Sequence, residues 1–274
     1  MVMPIELVRR IIIIIPRLCV SAPPGIKFFL NDYLKNFSIK VDTVSSVERK
    51  MFTRNYEKDT IKIIENFVNE GDVCFDIGAN VGPITLALAQ KAKPKGKVYA
   101  FEPGPPIFER LVGNISLNPL YASAIIAENL GVSEQNGQLF WAEGSEDFDQ
   151  RGNGSLRVGP DYHKIKVDVV SLDFYCQSKG IENIDFIKID VEAMEYEVLK
   201  GAKNILGKSQ PIIYYETLPN MEATLGFPVF TEIKNFLKNL NYKFYSVDIY
   251  GNIKQVNKVG CSLNSLAVPT NFDI

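Results

Sequence analysis

Two glycines and an acid follow a short apolar run and could together hold a small cofactor. Residues 73–82 read VCFDIGANVG, which gives Asp76, Gly78 and Gly82 the spacing D-x-G-x-x-x-G. Glycine lets the backbone turn sharply and approach a ligand closely, because it has no Cβ. Pro83 comes next and suits the first position of a helix, where its missing N–H costs nothing. A strand, a glycine turn and a helix in this order predict a nucleotide-type cofactor site.

Glu102 indicates which cofactor this site would take. It ends the second predicted strand, KVYAF at 97–101, and lies 20 residues after Gly82. An acid in this position can accept hydrogen bonds from both ribose hydroxyls of a nucleotide. Sites for NAD usually read G-x-G-x-x-G, whereas the glycines here are four residues apart. We therefore expect S-adenosylmethionine (SAM), which has no pyrophosphate; the plainer alternative is a βαβ unit with two glycines and no ligand.

Further acids follow two later predicted strands. Asp190 and Glu192 come at the end of IDFIKIDV, residues 184–191, Glu195 begins the next helix, and Glu216 ends the strand after it. Each has an ordinary explanation, such as a helix dipole, a turn cap or a lysine partner. Ligands of open α/β sheets, however, bind outside the carboxyl ends of the strands. The shared position of these acids therefore indicates a functional site.

These residues need a sheet to bring them together, and the hydrophobic pattern predicts one. Strand and helix signals alternate, which indicates an open, mostly parallel α/β sheet with helices on both faces. The last two strands, at 242–247 and 262–268, are joined by a short turn region and should be antiparallel neighbours. Residues 143–164 are rich in Gly, Ser, Asp, Glu and Asn and are predicted to form a long loop. The other predicted strands are 73–77, 97–101, 123–127, 138–142, 166–170, 184–191 and 212–216; the helices are 59–68, 84–91, 106–117, one from 172, 196–206 and 230–240.

Composition excludes several classes of partner. The chain has 274 residues, a formal net charge of −2 and a pI near 5.7, which argues against a nucleic-acid surface. Its four cysteines are scattered, with no C-x-x-C pair and no spacing suited to a metal. We therefore expect a reducing, cytoplasmic location.

The N-terminal region resembles a signal peptide only superficially. Arg9 and Arg10 precede the apolar run Ile11–Ile15, but Pro16 ends that run after five residues. Five residues are too few for a secretory signal or a transmembrane segment. We expect a packed arm over residues 1–54 followed by the catalytic domain over 55–274. A weak contact of the arm with a membrane surface is the alternative.

Several runs, in order, resemble the FkbM-type SAM-dependent methyltransferases. The resemblance covers about residues 70–216. It implies a Rossmann-like, seven-stranded class I methyltransferase sheet, mostly parallel with an antiparallel last strand. It also implies O-methylation of a small-molecule or glycan acceptor, often at a sugar hydroxyl. The matching runs are FDIGANVG at 75–82, FEP at 101–103, Leu111 with Asn114 and Asn118, NGSL at 153–156, SLD at 171–173, and IKIDVE at 187–192 followed by Glu195 and VLKGA at 198–202.

The resemblance also assigns roles to residues. The cofactor would be bound by Asp76, Gly78, Asn80, Gly82, Glu102 and Pro103, with Glu102 on the ribose. Methyl transfer to a poorly nucleophilic hydroxyl needs a group that orients the acceptor and takes its proton. Asp190 and Glu192 are the candidates, with Asp190 preferred, and His163 is a second candidate base.

Three alternatives stay open. A divalent metal shared by Asp190 and Glu216 is less favoured, because no third ligand is evident. A SAM-binding module that regulates or scaffolds a partner would have the same cofactor site without catalysis. An NAD-dependent oxidoreductase is disfavoured by the glycine spacing.

Two positions depart from the family pattern. Pro83 stands where an aromatic residue is usual, so the floor of the cofactor site is expected to differ. Ala193 replaces the usual glycine after Asp-Val-Glu. We expect its Cβ to crowd the approach of the acceptor.

Overall fold

The computed structural model describes residues 27–33, 36–42, 45, 48, 51, 56–93, 95–143, 154–155, 164–217, 221–260 and 262–274. The N-terminal apolar run Ile11–Ile15, the candidate base His163 and most of the predicted loop at 143–164 lie outside these residues. None of the helices within these ranges has the length and apolarity needed to cross a membrane.

The described strands and helices mostly agree with the sequence pattern. The predicted strands at 97–101 and 212–216 are confirmed residue for residue. The strands are β1 Lys27–Tyr33, β2 Phe37–Asp42, β3 Val73–Ile77, β4 Lys97–Phe101, β5 Ile125–Glu128, β6 Gly131–Val132, β7 Gly137–Glu143, β8 Gly154–Ser155, β9 Lys164–Val170, β10 Phe186–Ile189, β11 Ile212–Glu216, β12 Tyr242–Val247, β13 Ile253–Gln255 and β14 Asn264–Pro269. The helices are α1 Lys58–Phe67, α2 Pro83–Ala92, α3 Pro105–Ser116, α4 Pro119–Ala122, α5 Leu172–Lys179, α6 Glu195–Lys200, α7 Lys203–Ser209, α8 Met221–Leu225 and α9 Val229–Lys238.

One predicted helix is divided in two. The single helix expected over 196–206 was wrong, since α6 ends at Lys200 and α7 begins at Lys203. Gly201 lies between them, and a Cβ at Gly201 would come within 2.1 Å of the backbone oxygen of Ser133. The helix therefore breaks where Gly201 packs closely on the backbone of Ser133, just after β6.

The main sheet has the expected mixed topology. Its strand order is β13-β12-β14-β11-β10-β3-β4-β5. The strands β11, β10, β3, β4 and β5 are mutually parallel. β14 runs antiparallel to β11 and to β12, which confirms the expected antiparallel pairing of the last two predicted strands. β13 extends the sheet beyond the seven expected strands as an antiparallel edge strand.

Two smaller sheets complete the described structure. β6, β9, β7 and β8 form one of them, and β8 lies within the region predicted as a loop. β1 and β2 form an antiparallel hairpin. Two asparagine side chains bond to the backbone of β2. Asn114, on α3, accepts from Lys40 N–H at 2.8 Å, and Asn118, just after α3, accepts from Ser38 N–H at 2.9 Å. This hairpin therefore packs on the sheet domain.

The sheet is covered on both faces, as its apolar strands predict. On one face Cys74 and Phe186 pack with residues of α1 and α2, such as Ile63 and Leu86. On the other face Phe75 packs with residues of α5, α6, α7 and α9. Successive residues of β3 thus face opposite layers. Both faces of the central strands are therefore buried by helices.

Candidate active site

A cavity of about 740 Å³ lies at the carboxyl ends of β3, β4, β10 and β11. This is the edge at which open α/β sheets bind ligands. Its size falls within the range of small-molecule and cofactor sites. Gly78, Glu102, Asp190 and Glu216, each just past or at the end of one of these strands, all line it. The acids that the sequence analysis singled out at strand ends are therefore brought to one place.

The glycine turn after β3 packs closely on the backbone at the end of β10. Gly78 has a φ of +80°, and a Cβ there would lie 1.8 Å from the backbone oxygen of Asp190. Only glycine satisfies both conditions. The N–H groups of Gly78 and Ala79 donate to Phe101 O at 3.0 and 2.9 Å, so the turn is fixed to the end of β4. Gly82, with a φ of +92°, ends the turn and leads into Pro83, the first residue of α2 as expected.

Glu102 is held under this turn by backbone donors. Its Oε2 accepts from Asn80 N–H at 3.0 Å, and its Oε1 accepts from Gly104 N–H at 2.9 Å. Its side chain lines the cavity although the residue is only 5% exposed. Burial raises the pKa of Glu102 to about 7, against the lowering effect of the two backbone hydrogen bonds. Each carboxylate oxygen has two lone pairs, so both keep capacity for a hydroxyl of a ligand.

A buried lysine, which the sequence analysis missed, links the cofactor turn to the acids. Lys188 is 4% exposed, and its Nζ donates to the backbone oxygen of Gly78 at 3.0 Å. The same nitrogen lies 3.5 Å from Asp76 Oδ1 and 3.5 Å from Asp190 Oδ2. Burial lowers the pKa of Lys188, but the charges of Asp190 and Asp76 outweigh it and leave the pKa raised. Lys188 is therefore a cation fixed between two carboxylates.

The sequence contained a signal for this lysine. Lys188 and Asp190 are two residues apart, so a strand directs both toward the same face. Lys188 is also the register partner of Asp76 in the pairing of β10 with β3. A charged residue inside an otherwise apolar strand is uncommon unless it is paired. The runs IKID at 187–190 and FDIG at 75–78 could thus have predicted that Lys188 lies between Asp76 and Asp190.

Asp76 itself does not line the cavity. It is fully buried, and its Oδ2 accepts a 2.6 Å hydrogen bond from Thr85 Oγ1 on α2. Its other oxygen faces Lys188 at 3.5 Å and has no hydrogen-bond partner within the described part of the chain. The side chain thus lies behind the glycine turn and joins β3, β10 and α2.

The segment after β10 carries the remaining candidate acids. Asp190 and Glu192 both line the cavity, and the Asp190 side chain is 34% exposed. Glu195, which is fully buried, accepts from Val191 N–H at 3.1 Å and so closes this segment onto the start of α6.

Glu192 and Ala193 have φ angles of +54° and +73°. A left-handed backbone at Ala193 explains why glycine is usual there. Ala193 is not among the residues that line the cavity; it packs beside the apolar layer of α6.

Two neighbouring carboxyl groups have raised pKa values. Burial, and then the charges of Asp190, Glu192 and Glu195, raise the pKa of Glu216 to about 9. Burial raises the pKa of Glu195 to about 8, and Asp190 and Glu192 add to that effect. The Oε2 of Glu216 is buried and has no hydrogen-bond partner among the residues that the structure describes, and a raised pKa favours the protonated form, which can donate a hydrogen bond.

The N-terminus of α1 forms the wall opposite the glycine turn. Tyr214 on β11 accepts from Thr60 Oγ1 at 3.2 Å and donates to Asp59 Oδ2 at 3.1 Å. Asn264 Nδ2 donates to the same carboxylate at 2.7 Å. Glu57, just before α1, also lines the cavity, and burial raises its pKa to about 7. The start of the helix is thus bonded to β11 and to β14, the strand that follows β11 in the sheet.

The structure brings together most of the predicted site residues. Gly78, Asn80, Glu102, Pro103, Asp190 and Glu192 line the cavity, whereas Asp76 and Gly82 lie behind it. In the part of the chain that the structure describes, no group of three or more His, Cys, Asp or Glu residues could hold a metal ion. His163 lies outside that part.

Comparisons with known proteins agree with this geometry. Residues 76–244 match the model of the Methyltransferase FkbM domain. The chain is 31% identical over 166 residues to the hexuronic acid methyltransferase AglP of Haloferax volcanii, covering 60% of this chain and 64% of AglP. It is 30% identical over 158 residues to the 2-O-methyltransferase NoeI of Sinorhizobium fredii, covering 53% of this chain and 62% of NoeI. It is 29% identical over 165 residues to the 31-O-demethyl-FK506 methyltransferase FkbM of Streptomyces tacrolimicus, covering 49% and 60%.

The match thus spans just under two thirds of the length of each of these relatives. A crystal structure of a methyltransferase FkbM from Methylobacillus flagellatus KT covers 81% of this chain and 54% of that chain, at 14% identity and a TM-score of 0.48. The assignment to a family therefore depends on the sequence matches.

Proposed function

Because the chain belongs to the FkbM methyltransferase family, we propose that it is a SAM-dependent O-methyltransferase. The observation that carries the proposal is the single cavity in which the glycine turn, Glu102 and Asp190 meet. One side of that cavity has the chemistry of a nucleoside site, and the other has acids that suit a hydroxyl acceptor.

The residues fit the cofactor. The turn at Gly78 borders the cavity, and Glu102 keeps acceptor capacity on both oxygens for ribose hydroxyls. Asn80 and Pro103 extend the same side of the cavity. When bound, SAM supplies a methyl group on a positively charged sulfonium. Asp76 and Gly82 act from behind the turn, by fixing Lys188 and the start of α2.

Asp190 is the group we assign to the acceptor hydroxyl. It is partly exposed to the cavity, and the neighbouring Lys188 holds one of its oxygens in place. A positioned carboxylate can orient a hydroxyl and take its proton as the oxygen attacks. Glu192, on the same segment, is the second candidate for this role. Lys188 stays protonated and serves as a positioning residue.

We propose a sugar hydroxyl as the acceptor, on a glycan, glycoconjugate or glycosylated small molecule. The support comes from relatives whose names state a hexuronic acid methyltransferase and a 2-O-methyltransferase. The cavity wall adds carboxyl and amide groups from Glu192, Glu216 and Asn264, which suit the hydroxyls of a sugar.

The test is transfer of a labelled methyl group. The full-length protein is incubated with methyl-labelled SAM and a panel of glycans, lipid-linked sugars and glycosylated natural products. A labelled product supports the proposal, whereas SAM binding without transfer to any acceptor favours a non-catalytic SAM-binding module. Parallel reactions with EDTA, and with Mg²⁺ added back, test whether Asp190 and Glu216 share a metal; activity lost and then restored would indicate that they do.

Glu102→Gln is expected to weaken SAM binding by about 10- to 100-fold, because it removes the charge from hydrogen bonds to the ribose. The amide nitrogen would also face one of the backbone N–H groups that Glu102 now accepts from. Isothermal titration calorimetry measures the effect. Glu128→Gln is the matched control, since Glu128 ends β5 beside Glu102 but does not line the cavity. Equal SAM affinities of Glu102→Gln and the wild type would remove Glu102 from the cofactor site.

His163→Ala is expected to retain activity within a few fold, because Asp190 is the preferred base. Turnover and SAM affinity are measured separately in the wild type and the variant. A loss of turnover of about 100-fold or more with unchanged SAM affinity would instead make His163 the base.

A further inference from the structure

Three large apolar side chains are left exposed on one wall of the cavity. Ile249, Tyr250 and Leu263 are 65%, 73% and 52% exposed, and all three line the cavity. We call these three residues the rim cluster. Exposed apolar residues are ordinary when they are scattered singly, but a group at the mouth of a site marks a binding surface. The rim cluster lies outside the cofactor side of the cavity, beside Glu216 and Asn264.

The turn that carries two of these residues is fixed by its own hydrogen bonds. Asp248 Oδ1 accepts from Tyr250 N–H at 2.8 Å and from Asn252 N–H at 2.9 Å. Asp248 Oδ2 accepts from Asn252 Nδ2 at 2.8 Å, and Gly251 N–H donates to Asp248 O at 2.9 Å. The turn between β12 and β13 is therefore ordered although it is exposed. A ligand that binds there would pay little to order it.

Contact with α1 sets where the turn lies. Gly251 has a φ of +76°, and a Cβ there would come within 2.5 Å of Lys62 Cβ and 3.2 Å of the backbone oxygen of Asp59. Glycine is therefore required for this close approach. Asp59 in turn bonds to Tyr214 and Asn264, so the turn is held against the same polar wall that borders Asp190. Ile249 and Tyr250 remain exposed beside this fixed point.

Apolar and polar groups alternate around this part of the cavity. The rim cluster supplies an apolar and aromatic surface, and Asn264, Glu192 and Glu216 supply hydrogen-bonding groups. Burial and the neighbouring acids raise the pKa of Glu216, which favours its hydrogen-bond-donating form. A pyranose ring has the matching character, with C–H groups on its faces and hydroxyls around its edge. A wholly apolar acceptor would leave these carboxyl and amide groups desolvated without partners.

We propose that the rim cluster is the acceptor subsite and that Tyr250 stacks on the pyranose ring whose hydroxyl is methylated. This inference rests on the proposed O-methyltransferase function and assigns its acceptor side. Tyr250 would supply the aromatic face, Ile249 and Leu263 would extend the apolar surface, and the polar wall would turn one hydroxyl toward Asp190.

Binding of methyl pyranosides tests the subsite without depending on turnover. The probes are the methyl glycosides of glucose, galactose, mannose and glucuronic acid, measured by saturation-transfer difference NMR with S-adenosylhomocysteine present. Tyr250→Phe keeps the ring and is expected to bind within about twofold of the wild type. Tyr250→Leu keeps apolar area without an aromatic face and is expected to bind about 5- to 10-fold more weakly. Phe174→Leu is the control, since Phe174 is 52% exposed but outside the cavity.

Calorimetry with S-adenosylhomocysteine on the same proteins distinguishes an error in the proposed subsite from an error in the proposed function. Binding of that cofactor product by the wild type, with no methyl pyranoside bound, overturns the subsite and leaves the methyltransferase proposal standing. Unchanged pyranoside affinity in Tyr250→Leu overturns the stacking and indicates a purely apolar contact. Failure of the wild type to bind S-adenosylhomocysteine contradicts the proposed function itself.

Discussion

Asp190→Asn is expected to lower kcat by about 10²- to 10⁴-fold while SAM affinity changes little. Asparagine keeps the shape of the side chain but cannot take a proton from the acceptor hydroxyl. The segment should stay in place, because Asp190 N–H donates to Ile77 O at 3.0 Å in the main chain. Steady-state kinetics with a labelled methyl group and calorimetry with SAM measure the two quantities.

Glu192→Gln is the comparison variant for this prediction. Glu192 lines the same cavity, two residues from Asp190, but its side chain lies outside the ion pair with Lys188. We expect a smaller fall in kcat for Glu192→Gln than for Asp190→Asn. The reverse order would transfer the role of base to Glu192, and wild-type turnover in both variants would exclude both acids.

Lys188→Met is expected to destabilise the fold by about 3–5 kcal/mol. Asp76 would then be a fully buried carboxylate that keeps its hydrogen bond from Thr85 but has lost the neighbouring cation. Removing one member of a buried ion pair leaves the other charge uncompensated, which costs far more than removing a surface pair. Urea denaturation measures the free energy of unfolding.

Lys179→Met supplies the matched surface control. Lys179 Nζ lies 3.1 Å from Glu128 Oε1, but half of its side chain is exposed, so its loss should cost about 0–1 kcal/mol. The double variant Lys188→Met/Asp76→Asn should recover part of the lost stability. If Lys188→Met costs no more than Lys179→Met, the buried cluster is not the stabilising unit described here.

Lys188→Met should also change catalysis in those molecules that remain folded. With the cation beside Asp190 gone, that carboxylate loses the partner that holds one of its oxygens in place, so kcat should fall in the folded molecules. A merely structural lysine would lower stability and leave the kcat of the folded molecules unchanged. The fall in kcat therefore distinguishes a positioning residue from a packing residue.

Sequence reasoning predicted the cofactor side better than the acceptor side, and the reason is physical. The glycine turn, Pro83 and Glu102 belong to a local pattern of strand, turn and helix, and such patterns fix their own geometry. The mostly parallel sheet follows from the alternation of strand and helix signals. Burial on both faces of β3 follows from its apolar run.

The acceptor side depends on contacts distant in sequence. Asp59 accepts a hydrogen bond from Asn264, which is 205 residues away in the sequence. Gly251, in the turn after β12, packs against the side chain of Lys62 on α1. Nothing in the sequence near residue 250 says which surface the tip of that turn faces. The break between α6 and α7 was missed for the same reason, since it accompanies packing of Gly201 on Ser133.

The central claim is that a methyl group is transferred to a hydroxyl oxygen at Asp190. The most direct measurement is the ¹³C NMR spectrum of the product formed from SAM labelled with ¹³C in the methyl group, using wild type and Asp190→Asn side by side. We predict an O-methyl ether resonance on a sugar with the wild type and its near absence with Asp190→Asn. A labelled methyl on nitrogen or carbon, or equal O-methyl product from both proteins, would contradict the account.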